Sequence, residues 1–516
     1  MKLERTKNTA RNMIFGSISK VYNLAVPFVL RTIMIYTLGM QYVGLNSVFT
    51  SVLQVLNLAE LGVGSAMIYS MYKPLAEGDT VKIGALMNLY KVYYRIIGAF
   101  ILVAGLALMP FIPNLISGEI PDDMNIYILY GINLGATVLS YWLFAYKNCL
   151  LFVHQRNDIT EKISMIINTI RYVLQIGALI IFKNYYIFII ITLVTGAALN
   201  IVTALVVDKL YPQYKAIGKL EKSEIKLING RVRDLVTGKI GYIIVEQSDT
   251  LIISAFLGLT LLAQYQNYYF ILTSIMGFVM IIANSARAGI GNSLVTETAE
   301  KNFNDLKKFT LIFVWMGIFC TCCFACLYQP FMELWVGEEN LLDYSLAILF
   351  SMYFFVKLMN QLYIMYKDAA GIWNYDRFRP LAVAVANLVM NLIMVQFWGL
   401  YGILLSTILS TLVVGFPWLF YNLFKWVFKT NAKKYVLTLL LQTALCAVLC
   451  AVCVLACSFI QFNSLIATIV LRLVVCAIVP NVAMFVIFRK TNEFKGLVSM
   501  ADSLTKGKIK ILKKLM

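Results

Sequence analysis

Residues 435–460, which read YVLTLLLQTALCAVLCAVCVLACSFI, decide the class of fold because none of the 26 consecutive positions is charged. A helix rises about 1.5 Å per residue, so this stretch would be about 39 Å long and would exceed the roughly 30 Å hydrocarbon core of a bilayer. Only helices and closed barrels satisfy their backbone polar groups in lipid, and the apolar positions here are continuous rather than alternating. The stretch therefore predicts a transmembrane helix.

Similar apolar runs recur along the whole chain of 516 residues, of which 60% are hydrophobic and 14% charged. Soluble domains carry about 25% charged residues, so one water-soluble core is excluded. We predict an all-α membrane protein with about fourteen transmembrane helices. The predicted spans are 13–38, 43–71, 84–110, 125–152, 163–182, 186–207, 238–258, 264–286, 309–328, 345–366, 381–397, 401–424, 435–460 and 467–488, with a short turn at Trp398-Gly399-Leu400 between the eleventh and twelfth.

The basic residues predict the orientation. With the N-terminus inside, the inner segments carry 35 of the 44 Lys and Arg, and the outer turns carry one, Lys183. This distribution follows the positive-inside rule and predicts that both termini lie in the cytoplasm. It also assigns the net charge of +18 to loops that face membrane lipids, and not to nucleic-acid binding. We expect the basic tail, 489–516, to lie as a helix on the inner leaflet.

Short segments recur at nearly one offset along the chain. Leu38-Gly39 resembles Leu257-Gly258, 110–119 resembles 329–338, and Tyr146-Lys147-Asn148 resembles Tyr366-Lys367-Asp368. The offset from the earlier to the later segment agrees among the three pairs to within one position. Each pair also falls at the same place in the order of helices, which indicates a duplicated six-helix unit with parallel repeats.

This duplication predicts the domain organisation. We expect an N-terminal lobe (1–207), a basic cytoplasmic linker (208–237), a C-terminal lobe (238–424), an extra helix pair (435–488) and a basic cytoplasmic tail (489–516). Transporters built from repeats bind their substrates near the midplane where the repeats meet, so a substrate cavity is expected between the two lobes.

Enzyme motifs are missing from the sequence. There is no phosphate-binding Gly-x-x-x-x-Gly-Lys-Ser/Thr loop, and His154 is the single histidine. The longest predicted outer segments, 111–124 and 329–344, hold no Lys, Arg or His, unlike the outer loops of a membrane glycosyltransferase or polymerase. We therefore predict a protein that is not an enzyme, with no catalytic residues, no metal site and no cofactor beyond a coupling ion.

Ten cysteines lie almost entirely inside the apolar runs. Cys446, Cys450, Cys453 and Cys457 follow one helical stripe, and four more crowd the segment 320–326. We interpret them as small packing residues between helices rather than as zinc ligands, which need thiolates and usually a loop.

Charged residues within the spans are the candidate substrate-binding or gating groups, because each costs about 2.5–3.5 kcal/mol to insert and usually faces a cavity or a partner. These residues are Lys20, Arg31, Glu60, Arg171, Glu246, Asp249 and Lys357. Four cations against three acids favour an anionic substrate such as a phosphate or pyrophosphate.

Arg31 is the strongest candidate for a substrate-binding or gating residue. It lies eight residues before Gly39, about 12 Å from the outer helix end, with Lys20 on the same face and Pro27 between them to bend the helix. Subtraction of the repeat offset places Asp249 at position 30, next to Arg31, so we predict that Arg31 and Asp249 meet across the cavity. The alternatives are an ion pair or a packing contact without a ligand, and a Lys20 that extends to the inner interface.

Two segments carry a family resemblance. Leu58-Ala-Glu-Leu-Gly-Val-Gly-Ser-Ala66, followed by 72–79, resembles the second helix of bacterial polysaccharide transporters, and 248–258 resembles their seventh. The architecture is similar to the multidrug/oligosaccharidyl-lipid/polysaccharide exporter (MOP) superfamily, and within it to the Wzx-type oligosaccharide flippases.

This resemblance implies a function. The substrate would be an undecaprenyl-pyrophosphate-linked oligosaccharide, moved outward by alternating access and coupled to sodium, protons or membrane potential. Arg31 would contact the pyrophosphate or gate the cavity, and Asp249 would be its counter-charge or couple an ion. Partners would include polysaccharide polymerase and glycosyltransferases. A lipid II flippase and a cation-coupled multidrug exporter of the same fold remain as alternatives.

Overall fold

The structure is a computed structural model that describes residues 5–60, 62–118 and 120–504. Within these ranges all regular secondary structure is helical, and we number the α-helices in chain order. The helices are α1 (Arg5–Thr37), α2 (Met40–Leu56), α3 (Val63–Glu77), α4 (Thr80–Leu108), α5 (Ile126–Trp142), α6 (Cys149–Val153), α7 (Asn157–Gly177), α8 (Tyr185–Leu210), α9 (Lys222–Leu257), α10 (Leu259–Thr296), α11 (Ala299–Val336), α12 (Tyr344–Ala369), α13 (Trp373–Asp376), α14 (Arg379–Ser410), α15 (Phe416–Asn422), α16 (Lys433–Ser458), α17 (Leu465–Phe488) and α18 (Asn492–Leu504).

The predicted spans all fall on helical segments. In the part of the chain that the structure describes, eleven stretches are long and apolar enough to cross a bilayer, and a bent pair over 126–153 makes twelve. One of them, Trp373–Val427, holds two predicted spans, and α10 covers the remaining one. The chain is therefore a multi-pass, all-helical integral membrane protein, as predicted.

The predicted turn between the eleventh and twelfth spans is confirmed. Gly399 has φ 53° and ψ −128° and divides α14 into two helical halves. A Cβ atom on Gly402 would clash with the carbonyl of Met394, so the halves approach too closely there for any larger residue. Backbone contact of this kind selects glycine.

Two predicted spans are broken, which continuous hydropathy did not reveal. In the second span α2 ends at Leu56, a 3-10 turn covers Asn57–Glu60, and α3 begins after Gly62, which has the left-handed conformation (φ 85°). In the fourth span α5 and the segment that contains α6 are bent by 52°, and Phe144 at the bend has φ 60°. Each break contains only one charged residue, Glu60 in the first and Lys147 in the second, so mean hydropathy stays high and the backbone geometry identifies the breaks.

The helices form two compact units, Met1–Ala263 and Gln264–Met516. In the first unit α1 packs on α7, α2 on α9, and α4 on α3 and α5. In the second unit α11 is the central helix, and it contacts α12, α16 and α17. The predicted assignment of helices to lobes stays a prediction.

Local conformations agree with the duplication. Gly39, which precedes α2, has φ 105° and ψ 172°, and Gly258, which precedes α10, has φ 90° and ψ 171°. The two glycines are separated by the predicted repeat offset. Both backbones lie in a region that L-residues with side chains rarely adopt, so the same restriction acts on both positions.

The predicted basic segments are partly helical. The helix α9 begins at Lys222, well before the predicted span, and Lys82 forms an ion pair with Glu224 on this extension (2.5 Å). In the C-terminal tail, α18 is helical, whereas the predicted basic helix beyond Leu504 lies outside the described residues.

Candidate functional site: charged groups within the helices

Glu60 lies at the break between α2 and α3. The 3-10 turn ends on this residue, and Gly62 has the left-handed conformation immediately before α3 starts. A Cβ atom on Gly64 would lie 3.0 Å from the Tyr90 hydroxyl, so glycine leaves the room that brings α4 close to the break. The sequence around Glu60 therefore turns its carboxyl group towards α4 and α5.

Tyrosine hydroxyls surround this carboxyl group. Tyr94 donates to Oε1 at 2.7 Å and Tyr141 donates to Oε2 at 3.0 Å, while Tyr90 donates in turn to the Tyr94 hydroxyl at 2.7 Å. Tyr141 is also 3.1 Å from Oδ1 of Asn57. The rings of Tyr94 and Tyr141 meet edge to face at 5.4 Å. We call Glu60 and these three tyrosines the Glu60 network.

In the Glu60 network, neutral hydroxyl groups donate hydrogen bonds to an acidic side chain. Its three tyrosine side chains are 5–7% exposed. Among the side chains that the structure describes, no Lys or Arg nitrogen lies within 4 Å of Glu60. Hydrogen bonds to a charged acceptor contribute about 1.5–3 kcal/mol each, which offsets part of the cost of a carboxylate away from water.

Lys357 has a comparable environment in the second unit. Its Nζ donates to the Tyr269 hydroxyl at 3.0 Å and lies 5.1 Å from the centre of the Tyr269 ring and 5.5 Å from that of Tyr353. Tyr265 stacks on Tyr269 at 5.7 Å. Cation–π contacts of this kind contribute about 0.5–2 kcal/mol and increase with desolvation.

Two further predicted residues contact tyrosines. Arg171 on α7 donates to the Tyr172 hydroxyl at 3.0 Å, and its guanidinium lies 4.8 Å from the ring centre. Tyr242 donates to Oε1 of Glu246 on α9 at 2.7 Å. Glu60, Arg171, Glu246 and Lys357 thus share one kind of neighbour, which the sequence analysis did not predict.

The remaining predicted residues differ in burial. Asp249 is 5% exposed on α9, Arg31 is half-buried on α1, and Lys20 is exposed. Arg31 and Asp249 both belong to the first unit, where α1 packs on α2 and α2 packs on α9. Their direct pairing stays a prediction.

An ion-pair cluster that the sequence analysis missed joins α1 to α7. The fully buried Asp158 lies 3.0 Å from Arg11, 2.9 Å from Arg156 and 3.8 Å from Lys162. Its backbone N–H also donates to Oδ1 of Asn12 at 2.8 Å. The second unit has a similar cluster at Asp376, and the separation of Asp158 and Asp376 along the chain repeats the predicted offset to within one position.

His154 packs beside this cluster. Its ring stacks on Tyr211 at 4.2 Å, and Nδ1 lies 2.8 Å from the Leu150 carbonyl oxygen. Burial lowers the pKa of the His154 imidazole because the charged form would lose its hydration. This histidine therefore packs against Tyr211 in its neutral form at neutral pH.

The chain is a multi-pass, all-helical membrane protein with charged groups inside its helices, and comparisons with known proteins identify its fold. No protein-family profile and no curated protein matches the sequence. Solved structures do match. The lipid II flippase MurJ, in an inward closed conformation, is similar with a TM-score of 0.67 at 14% identity, over 92% of this chain and 99% of that chain.

Two other structures extend the comparison. An inward-facing multidrug resistance MATE family transporter of the MOP superfamily has a TM-score of 0.60 at 15% identity, over 80% of this chain and 97% of its own. A MOP superfamily transporter from Pyrococcus furiosus, described as having a binding pocket of reverse polarity, has a TM-score of 0.53 at 12% identity, over 83% and 96%. At these identities the likeness defines the fold: this chain has the fold of the MOP superfamily transporters.

Proposed function

We propose that this protein moves undecaprenyl-pyrophosphate-linked oligosaccharide repeat units from the inner to the outer leaflet of the bacterial cytoplasmic membrane, by alternating access. The product would feed the assembly of a surface polysaccharide, with glycosyltransferases supplying the substrate and a polymerase consuming it. The termini would be cytoplasmic, as the positive-inside distribution predicts.

The observation that carries this proposal is the extent of the structural likeness. The match to MurJ covers 92% of this chain. The helices α16 and α17 contain 26 and 24 residues, which together are more than the match leaves out of the whole chain. The match therefore includes part of the extra helix pair. The match to the multidrug transporter covers 80% of the chain, and the remainder has room for the whole pair. The extra pair thus supports a transporter of lipid-linked substrates over a drug exporter.

The intramembrane charges support an anionic substrate. Lys357 has its ammonium group near two tyrosine rings, a setting that also suits contact with sugars and phosphate oxygens. In the proposed cycle Arg31 contacts the pyrophosphate or acts as a gate, Lys20, Arg171 and Lys357 add positive potential, and Asp249 and Glu246 act as counter-charges or couple an ion. Glu60 would be the acid that senses the coupling ion.

The test is outward display of the lipid-linked glycan in cells that depend on this chain. Spheroplasts are treated with a membrane-impermeant glycosidase, and the fraction of lipid-linked repeat units that it cleaves is measured. Deletion should reduce the cleaved fraction and leave the glycan accumulated inside. Lys357→Met should resemble deletion and Lys357→Arg should retain most activity, whereas Lys209→Met, at an exposed lysine on α8, serves as the matched control. Normal display after deletion would refute the proposal.

Lipid II is the second candidate substrate, because the structure with the highest TM-score among those described above is a lipid II flippase. It shares the polyprenyl pyrophosphate but carries a peptide. The two substrates are separated by measuring both pools in the same depleted cells. Inner-leaflet accumulation of lipid II, with unaffected polysaccharide intermediates, would replace the first proposal with the second.

A further inference from the structure

Three cysteine thiols meet in the interior of the second unit. The Sγ atoms of Cys326 on α11, Cys457 on α16 and Cys476 on α17 all lie within 4.8 Å of one another. Their exposures are 3%, 2% and 0%. We call these residues the thiol triad. Three different helices supply it, so it is a feature of the tertiary structure and not of one helical stripe.

More thiols surround the triad. Cys322 lies near Cys450 and Cys453, and Cys323 lies near Cys476. The Cys476 thiol donates to the backbone carbonyl of Cys322 at 3.6 Å. Alanine or glycine would also allow helices to pack closely at such positions. Here each pair of the helices α11, α16 and α17 instead brings a cysteine of one helix close to a cysteine of the other.

The spacing suits a metal ion. Sulfur ligands lie about 2.3 Å from a bound metal, so three of them around one ion are about 4 Å apart. The sulfur atoms of the thiol triad lie within 4.8 Å of one another, which is close to this value. Thiolate ligands select soft ions, above all Cu(I), and disfavour magnesium and calcium, which prefer oxygen.

A cation adjoins the thiol triad. Nη1 of Arg472 on α17 donates to the Cys326 carbonyl oxygen at 3.3 Å, and Nε donates to the Ile460 carbonyl oxygen at 3.2 Å. A monovalent ion with two thiolates has a charge of −1, which the guanidinium neutralises. A neutral assembly is the one that costs least in a low-dielectric interior. A divalent ion would leave a net positive charge there.

The triad also has a route of access. Cys457 is the last residue but one of α16, and the following segment, 459–464, is mostly exposed. An ion would therefore pass less than one helical turn, about 5 Å, from the helix end to the first sulfur.

We propose that the thiol triad binds one Cu(I) ion per chain. Cys326 and Cys457 bind as thiolates, and Cys476, whose proton is held by the Cys322 carbonyl, is a neutral third ligand. Binding releases two protons to solvent, one from each thiol that becomes a thiolate, and no electron is transferred. The bound ion joins α16 and α17 to α11, and it does so whatever substrate the protein transports.

The test is a titration of the purified full-length chain with Cu(I), under anaerobic conditions and against a chromophoric Cu(I) chelator. We expect one ion bound per chain and two protons released, read with a pH dye in weak buffer. Cys326→Ser and Cys457→Ser should each weaken binding more than about 100-fold, because loss of an outer-shell group alone costs 10–100-fold. Cys320→Ser, on the same helix but outside the triad, is the matched control and should bind as the wild type does.

A measurement on the wild-type chain distinguishes the loss of a metal-binding cysteine from the misfolding of a variant. Cu(I) should protect Cys457 from a small lipophilic maleimide, mapped by mass spectrometry, and Mg²⁺ should not. Equal binding by the triad variants and the control, absence of protection, or a disulfide within the triad seen as a loss of two hydrogen masses would each overturn the proposal.

Discussion

Removal of one hydroxyl from the Glu60 network tests whether tyrosines are what stabilises an acid inside the first unit. Tyr94→Phe keeps the ring, and with it the edge-to-face contact with Tyr141, but it deletes the atom that donates to Glu60 at 2.7 Å and accepts from Tyr90 at 2.7 Å. The expected effect is destabilisation without a change of volume in the core.

The magnitude follows from the two bonds. A hydrogen bond to a carboxylate is worth about 1.5–3 kcal/mol and one between neutral groups about 1 kcal/mol, so the free energy of unfolding should fall by about 3 kcal/mol. At about 2 °C per kcal/mol for a unit of this size, the melting temperature should fall by about 6 °C.

The assay is thermal unfolding of the purified protein in detergent, followed by intrinsic fluorescence and by loss of monodispersity. Tyr93→Phe is the matched control, because the neighbouring Tyr93 on the same helix donates to Asn229 at 2.6 Å in an exposed setting. It should lower the melting temperature by no more than about 2 °C, since exposed hydrogen bonds exchange with water. A Tyr94→Phe variant that melts within about 1 °C of wild type, or no lower than Tyr93→Phe, would refute the role of the network.

Three further predictions concern the first unit. Burial lowers the His154 pKa below its ordinary value of 6.5, so the folded state binds fewer protons than the unfolded state. The stability that the neutral ring contributes should be complete above pH 6.5 and should decrease as the pH falls. The melting temperature of His154→Phe should lose this dependence on pH. Asp158→Asn should cost about 2 kcal/mol, less than for fully buried pairs because the cations are partly exposed, and urea unfolding measures it. Gly44→Ala should cost about 3 kcal/mol in the same assay, because its Cβ would clash with the Leu259 carbonyl, whereas Gly135→Ala, with open space around it, should be neutral or stabilising.

Each of these has an outcome that would contradict it. Equal pH profiles for wild type and His154→Phe would mean that the histidine does not titrate with unfolding. An Asp158→Asn variant as stable as wild type would make the cluster a surface network of little energy. Equal effects of Gly44→Ala and Gly135→Ala would contradict the close approach of α2 to Leu259.

The sequence predicted most of the helices because hydropathy and charge are local properties. The Gly399 turn is an example, since the short segment Trp398-Gly399-Leu400 separated two apolar stretches that were each long enough to span a bilayer. The break at 57–62 was not predicted, because the residues on both sides of Glu60 are apolar and the interruption lies in the backbone angles of Gly62. Mean hydropathy is taken over a window longer than this turn, so it does not detect the turn.

The site was predicted only in part. The sequence identified Glu60 and Lys357 as charges inside spans, but the tyrosine hydroxyls that bond to these two side chains come from other helices, from 34 to 88 residues away. The cysteines show the same limit. Their helical stripe was visible on α16 and predicted packing, whereas the meeting of three helices at Cys326, Cys457 and Cys476 depends on tertiary structure.

The neutral surroundings of Glu60 have an electrical consequence. Hydroxyl groups surround this carboxyl group, and no Lys or Arg among the described side chains pairs with it, so a carboxylate here would have no local counter-charge. Displacement of such a carboxylate through the membrane field would do work. A unit charge that crosses the full field gains or loses about 2.3 kcal/mol per 100 mV, and a displacement through one fifth of the field about 0.5 kcal/mol. Reorientation of the first unit would then generate a transient capacitive current, which solid-supported membranes can record before any substrate has crossed.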